Sequence, residues 1–186
     1  KTEGLLSDTI YNAFKDKAGN IWLTGPSNGI DVVDSAEKII RHVDVKGGLS
    51  DNNIQDTKQD DNGGVWIATN KTGVDIIDPI SGTIKYLNDQ PGLKDTCNRM
   101  LMPDKQGRMW IGTDKGIYVA DIKNNTITAI TTKEGLTDNR VLSLLEYNGS
   151  VAAGTGTKIT LITPPSIPGA PGDSAKHPIA IGWEIN

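Results

Sequence analysis

Short segments rich in apolar residues follow one another along the chain, and turns that contain glycine separate them. Segments such as "NIWLTG" at 20–25 and "GVDIID" at 73–78 are rich in β-branched and aromatic residues, which favour strands. Turn residues return at intervals of about 8 to 12 positions, the spacing of short antiparallel strands. No segment keeps the apolar period of an amphipathic helix. The pattern predicts an all-β protein.

The pattern repeats along the chain. Trp22, Trp66 and Trp110 lie 44 residues apart, and Gly-Leu pairs keep nearly the same step. The first three units each contain four predicted strands, whereas the fourth is shorter and has Ala152 where tryptophan is expected. The four units are 4–47, 48–91, 92–134 and 135–163.

A repeat unit that holds four strands has the size of a β-propeller blade. A blade is a twisted antiparallel sheet that buries its faces by packing against its neighbours around an axis. A tryptophan at a fixed place on the second strand would pack between adjacent blades. We therefore predict four-stranded propeller blades, about four in number, that form a partial or oligomer-completed propeller.

The C-terminal residues do not follow the repeat. Residues 164–178 are rich in proline, glycine and serine, which is typical of a linker. Residues 179–186, which include "IAIGWEIN", are predicted to form a terminal strand. We expect this strand either to pair with the open fourth blade or to begin a following domain.

The repeated residues resemble the two-component regulator propeller repeat. That family combines a Gly-Leu-x-x-Asn start, an Asp-x-x-Gly-x-x-Trp turn, an Ile-Gly-Thr-like strand and a second glycine. The third unit contains "DKQGRMWIGT" at 104–113 and Gly116, with Thr96 in place of the asparagine. The second unit has Asn52 at that place, and the first has Asp8. The resemblance covers about 4–163.

The resemblance implies a location and a role. Such repeats occur in the periplasmic sensor regions of hybrid histidine kinases, especially of Bacteroidetes, where seven-bladed propellers sense glycans or their breakdown products. It therefore implies a periplasmic or extracytoplasmic ligand-sensing segment of a two-component sensor, which responds to carbohydrate and is not itself an enzyme.

Four units are fewer than a seven-bladed ring requires. We favour a part of a larger sensor over four blades that close alone or two chains that combine, and the start at Lys1 within a repeat fits a fragment. Exposed blade faces predict association, either as a homo-oligomer or with the remainder of a larger propeller.

The composition of the chain argues against several classes of binding partner. The net charge of −4 argues against nucleic acid, because phosphate binding needs clustered Lys and Arg. No apolar run is long enough to span a bilayer, so we expect no membrane contact by this segment. Cys97 is the single cysteine, and neither His42 nor His177 has a partner at metal-ligand spacing. We expect no metal site and no cofactor.

The recurring acids Asp16, Asp60 and Asp104 are interpreted as parts of the scaffold. Each begins a hairpin three residues before a glycine, where a carboxylate accepts hydrogen bonds from turn N–H groups. A calcium loop needs further oxygen ligands and a distal glutamate, which this sequence lacks. Asp51, Asp95 and Asp138 also recur, which favours a structural role over an acid/base pair.

Candidate ligand-binding residues are those that differ between units at the mouth of the propeller. By analogy with other propellers, the mouth is formed by the loops that enter the innermost strand and the loops that join strands two and three. An aromatic ring with amide and cationic donors would suit a sugar or an acidic sugar. The candidates are Tyr11, Asn53, Arg99 and Arg140 at the first loop type, and Asn28, Lys71 and Lys115 at the second.

Two other functions stay open. A propeller-fold polysaccharide lyase or glycosidase would need convergent acids or a Tyr/His/Arg cluster, for which Tyr11 with Arg99 is the one candidate. A protein-interaction scaffold would need no small ligand. No catalytic residue is assigned.

Overall fold

A computed structural model of the chain describes residues 4–87, 93–94, 97–156, 158–163 and 180–184, without the side chains of Asn98 and 180–184. The described part forms four separate four-stranded sheets and contains no α-helix. In the first sheet the strands are β1 (Asn12–Lys15), β2 (Ile21–Thr24), β3 (Ile30–Val33) and β4 (Ile39–Val43). In the second they are β5 (Ile54–Gln59), β6 (Val65–Thr69), β7 (Val74–Ile77) and β8 (Ile84–Tyr86).

The other two sheets follow the same plan. Every sheet is antiparallel, and its strands lie in chain order. We call the sheets blades 1 to 4. In blade 3 the strands are β9 (Asn98–Pro103), β10 (Met109–Thr113), β11 (Ile117–Asp121) and β12 (Thr126–Ile130). In blade 4 they are β13 (Ser143–Tyr147), β14 (Ser150–Thr155), β15 (Lys158–Ile162) and β16 (Ala180–Glu184).

The strand near the C-terminus completes blade 4. In β16, Ile181 lies opposite Leu161 of β15 and Trp183 lies opposite Ile159. Two alternatives were expected for this strand. The structure shows the first of them, in which the strand pairs with the open fourth blade. The predicted linker at 164–178 lies outside the described residues.

The core lies between the blades. Trp22 is 1% exposed and packs in one cluster with residues of blade 2 such as Val65 and Ile67. Trp66 packs in the same way against blade 3, and Trp110 against blade 4. The tryptophans predicted to join adjacent blades do so in all three junctions.

The first strands of the blades lie side by side as the inner strands: β1 contacts β5, β5 contacts β9, and β9 contacts β13. The buried carboxylate of Asp56 in β5 links three of them. Its Oδ1 accepts from Asn12 Nδ2 at 2.7 Å and from Lys58 Nζ at 2.9 Å, and its Oδ2 accepts from Leu101 N at 2.9 Å. The sequence analysis did not single out Asp56, because the residue does not recur in the other units.

Candidate functional site

The hairpins between the first and second strands carry the recurring Asp and Trp residues. Asp16 Oδ1 accepts from Asn20 N at 2.8 Å, and its Oδ2 accepts from Trp22 Nε1 at 2.9 Å. The second hairpin repeats this geometry, because Trp66 Nε1 donates to Asp60 Oδ2 at 2.7 Å. The carboxylate thus closes the turn with one oxygen and fixes the indole with the other.

The third hairpin adds a buried cation. Trp110 Nε1 donates to Asp104 Oδ2 at 2.8 Å, and Arg108 Nε donates to the same oxygen at 2.7 Å. The side chains of Asp104 and Arg108 are 6% and 5% exposed. The Arg108 guanidinium carbon also lies 5.8 Å from the centre of the Trp110 ring, within the range of a cation–π contact.

These contacts favour the charged form of Asp16 and of Asp104. Burial by itself would raise the pKa of Asp16, but hydrogen bonds from Trp22 and Asn20 outweigh burial and lower it. Burial likewise acts to raise the pKa of Asp104, and the donors Trp110 and Arg108 lower it overall. A general acid needs a raised pKa and a free oxygen, so these two carboxylates belong to the scaffold, as the sequence analysis interpreted them.

The loops predicted to form the mouth lie together at the opposite end of the strands. The loop before β5 contacts two loops that join strands two and three. Asn52 O accepts from Gly29 N in blade 1 at 3.1 Å, and Asn53 O accepts from Asn70 N in blade 2 at 3.0 Å. Between blades 3 and 4, Val141 N donates to Thr113 O at 2.8 Å.

The acids in the Gly-Leu turns also have a structural role. Asp51 Oδ1 accepts from Asn53 N at 2.9 Å, and Asp138 Oδ1 accepts from Arg140 N at 2.9 Å. The Ser7 hydroxyl makes the corresponding contact with Thr9 N at 3.1 Å. Both carboxylates thus shape their own turns; Asp95 lies outside the described residues.

Four residues that do not repeat lie within one residue of the start of the inner strands, at the mouth. They stand seven residues after the glycine of each Gly-Leu pair, and we call them the mouth ring. Tyr11 is 70% exposed, Leu142 is 44% exposed and Arg99 is half-buried. The sequence analysis missed two members, although counting from the Gly-Leu glycine would have found them. The ring consists of Tyr11, Gln55, Arg99 and Leu142.

The other predicted ligand-binding residues lie in the same loops or in the loops that join strands two and three. Asn53 and Arg140 are each two residues from a ring position, and Asn53 Oδ1 accepts from Gln55 Nε2 at 2.8 Å. Three more lie in the loops that join strands two and three and are exposed. These three are Asn28, Lys71 and Lys115.

Arg99 has an unusual environment for a cation. Its Nε atom is buried and has no hydrogen-bond partner within the described part of the chain. A guanidinium donor removed from water without an acceptor is costly. This unused donor at the mouth distinguishes Arg99 from Arg108, whose guanidinium is paired with Asp104.

A surface hollow of about 950 Å³ lies at the hairpin end rather than at the mouth. Lys17, Asp60, Ile80 and Tyr86 are among the residues that line it, and none of the predicted ligand-binding residues is. Across the described ranges, no group of three or more His, Cys, Asp or Glu side chains is placed to hold a metal ion.

These features define a class of protein: a β-propeller segment with a repetitive, hydrogen-bonded hairpin end and a variable mouth. Residues 48–71 and 92–115 match the family described as two component regulator propeller. The resemblance noted in the sequence is confirmed over these two segments.

Solved structures support the fold. A protein described as the extracellular domain of the hybrid two-component system BT4673 from B. thetaiotaomicron aligns over 100% of this chain, with TM-score 0.75 and 21% identity. The corresponding domain of BT3049 from the same organism aligns over 82% of this chain, with TM-score 0.72 and 28% identity. The chain spans only 25% and 21% of those domains. It is thus a propeller segment of the type found in such extracellular domains.

A propeller enzyme has a similar fold. Virginiamycin B lyase from Staphylococcus aureus aligns over 95% of this chain and 56% of its own, with TM-score 0.70 and 16% identity. Identity this low shows the fold alone. No curated protein matches the chain. Among the described residues, no helix is long and apolar enough to cross a membrane.

Proposed function

We propose that this chain is a ligand-sensing segment of an extracytoplasmic two-component sensor, and that its ligand is an oligosaccharide bound at the mouth. The observation that carries the proposal is the half-buried Arg99, whose Nε donor has no acceptor in the described residues. The cost of such a donor is offset when a ligand oxygen approaches it.

The residues around Arg99 suit a sugar. The exposed ring of Tyr11 offers an apolar surface for a pyranose face, and Gln55 and Asn53 offer amide groups at the corresponding place in blade 2. Lys71 and Lys115 would add positive charge at the rim, which favours an acidic sugar. A ligand would signal by binding one arrangement of blades or subunits better than another.

The experiment is a calorimetric titration with neutral and acidic oligosaccharides up to millimolar concentration. At least one saccharide should bind, and Arg99→Gln should weaken its affinity by about tenfold or more, as loss of a charged hydrogen bond does. Arg41→Gln is the matched control, because Arg41 lies in β4 and donates to Pro79 O at 3.2 Å, away from the mouth.

Other outcomes would favour the alternatives. If no saccharide binds at millimolar concentration, the sensor proposal fails and a protein-interaction scaffold is favoured. If a bound saccharide is cleaved, and Tyr11→Phe or Arg99→Gln abolishes the cleavage, the chain is a lyase or glycosidase instead.

A further inference from the structure

Two residues of the mouth ring stand in β-bulges. In β5 the register with β6 shifts at Gln55, which has no residue opposite it. In β9 the register with β10 shifts in the same way at Arg99. The extra residue of a bulge is unpaired in the ladder, and the bulge gives its side chain a new direction. The directions of Gln55 and Arg99 at the mouth therefore depend on the contacts that hold β5 and β9 beside the bulges.

A carboxylate that does not recur lies directly beside the first bulge. Asp56 follows Gln55, and it stands eight residues after the glycine of its Gly-Leu pair. The residues at this place in the other blades are Asn12, Met100 and Ser143. Asp56 is buried, although acids are rarely buried unless they are paired. The other blades form without an acid at this place, so Asp56 is not needed to build a blade.

The two oxygens of Asp56 connect its strand to the blades on either side. Oδ1 accepts from Asn12 Nδ2 of blade 1 at 2.7 Å, and Asn12 directly follows Tyr11. Oδ2 accepts from Leu101 N of blade 3 at 2.9 Å, and Leu101 is two residues after Arg99. One carboxylate thus holds the chain next to three of the four mouth-ring residues.

The other contacts of Asp56 explain why an amide could not replace the acid. Oδ1 also accepts from Thr57 N at 2.8 Å and from Lys58 Nζ at 2.9 Å. Both groups can only donate, so the oxygen of an asparagine would take the place of Oδ1. Its NH2 group would then face Leu101 N, which also only donates. Asp56→Asn should therefore break the link to blade 3 while it keeps the shape of the side chain.

We infer that Asp56 is a positioning residue of the mouth, which sets the spacing of Tyr11 and Arg99 by holding their strands to β5. It acts through the links to Asn12 and Leu101 and not by contact with a ligand. For its effect on affinity, the inference rests on the proposed oligosaccharide site. A ligand that favours another spacing of Tyr11 and Arg99 would act on three blades through this one carboxylate.

The first test needs no ligand. Nuclear magnetic resonance follows the Arg99 Nε–H group in the whole chain and measures its exchange with water. In Asp56→Asn this exchange should become about fivefold faster or more, because β9 loses a hydrogen bond that holds it in place. The Nε–H of Arg108, which donates to Asp104 at the hairpin end, is the internal control and should not change. Asp56→Glu, which keeps the charge but displaces both oxygens, should change Arg99 in the same direction.

The second test measures affinity by calorimetry for the saccharide that the native chain binds best, at a temperature at which the variants are folded. Asp56→Asn should weaken binding by about fivefold, the factor that one hydrogen bond of ordinary strength contributes. Asp60→Asn is the matched control, because Asp60 also accepts from a backbone amide and a side chain, Gly64 N and Trp66 Nε1, but at the hairpin end of the same blade. It should lose stability and keep its affinity within about twofold.

Three results would overturn the inference. They are an Arg99 Nε–H exchange rate that neither Asp56 variant changes, an affinity that Asp56→Asn leaves unchanged, and an affinity loss in Asp60→Asn as large as that in Asp56→Asn. If the native chain binds no saccharide, the proposed function fails, and the exchange of Arg99 Nε–H alone then decides whether Asp56 positions the mouth.

Discussion

The two ends of the same strands differ in how their polar groups are used. At the hairpin end, Asp16, Asp60 and Asp104 recur, and each accepts hydrogen bonds from a backbone amide and an indole. At the mouth, Tyr11 and Arg99 hold equivalent places in different blades and share no chemistry, and the Arg99 Nε has no partner in the described residues. The acids that recur at the hairpin end have their hydrogen bonds satisfied, whereas Arg99, which does not recur, has a donor without a partner among the described residues. This contrast supports a structural role for the hairpin end, and it is the reason why the proposed ligand site is placed at the mouth.

Blade 4 sharpens this contrast within the scaffold itself. It keeps the sheet and the buried face toward blade 3, formed by Val151, Ala153 and Ile162, although its hairpin lacks both the aspartate and the tryptophan. The Asp–Trp pair therefore belongs to the junction with the next blade and is not needed to form a blade.

The largest effect is expected from Trp66→Ala. The indole fills the junction between blades 2 and 3, so its removal should lower the free energy of unfolding by about 3 to 5 kcal/mol. Chemical denaturation measures this loss. Trp66→Phe, which keeps a ring but loses the hydrogen bond to Asp60, should cost less; an equal cost would show that packing is not the main contribution.

Asp104→Ala should lower the free energy of unfolding by about 3 kcal/mol, because it removes the buried partner of Arg108 and the acceptor of Trp110. The matched control is Asp61→Ala in the second hairpin. The Asp61 side chain is 78% exposed, so its loss should change stability by no more than about 0.5 kcal/mol. Similar losses for the two variants would contradict the assigned role of the hairpin acids.

The lowered pKa values of Asp16 and Asp104 predict a smaller effect, a loss of stability at low pH. Because the folded protein lowers the pKa of Asp16 and Asp104 below the ordinary value of 3.8, their contribution is complete above about pH 4. It is lost as the pH falls through the lowered values. Denaturation midpoints between about pH 5 and 2 should fall for the native chain and fall less steeply for Asp104→Asn. If stability fell equally steeply with pH in the native chain and in Asp104→Asn, the Asp104 carboxylate would not be a source of the acid sensitivity.

The smallest effect is expected from Ala152→Trp. It places a tryptophan at the same blade position, but on a face that the described residues leave half-buried. We expect a change in unfolding free energy within about 0.5 kcal/mol. A gain comparable to the loss in Trp66→Ala would mean that the tryptophan stabilises its own blade rather than the junction.

Much of the scaffold could be predicted from the sequence, because a feature that recurs with a fixed step is reinforced in each unit. The step between Trp22, Trp66 and Trp110 predicted the blades, and the Asp-x-x-Gly spacing predicted the turn role of Asp16. The hydrogen bond from Trp22 Nε1 to Asp16 was missed, because it depends on side-chain direction across a hairpin. The pairing of β16 with β15 was left open, since a strand that follows a proline-rich segment carries no register signal.

The mouth was predicted less completely. The loops that contact one another at this end were chosen, but Tyr11 and Arg99 were grouped with Asn53 and Arg140, which stand two positions earlier in their units. Gln55 and Leu142 were missed for the same reason. That the Nε of Arg99 has no partner among the described residues could not be predicted at all, because it depends on burial within the folded mouth and not on spacing.

The most direct test of the division between scaffold and site is a crossed comparison of Trp66→Ala and Arg99→Gln. For each variant, unfolding free energy is measured by denaturation, and affinity is measured by calorimetry with the saccharide that the native chain binds best. We predict that Trp66→Ala loses stability and keeps its affinity wherever it remains folded, while Arg99→Gln keeps its stability and loses about tenfold in affinity. Affinity lost in both variants, or in neither, would contradict the account.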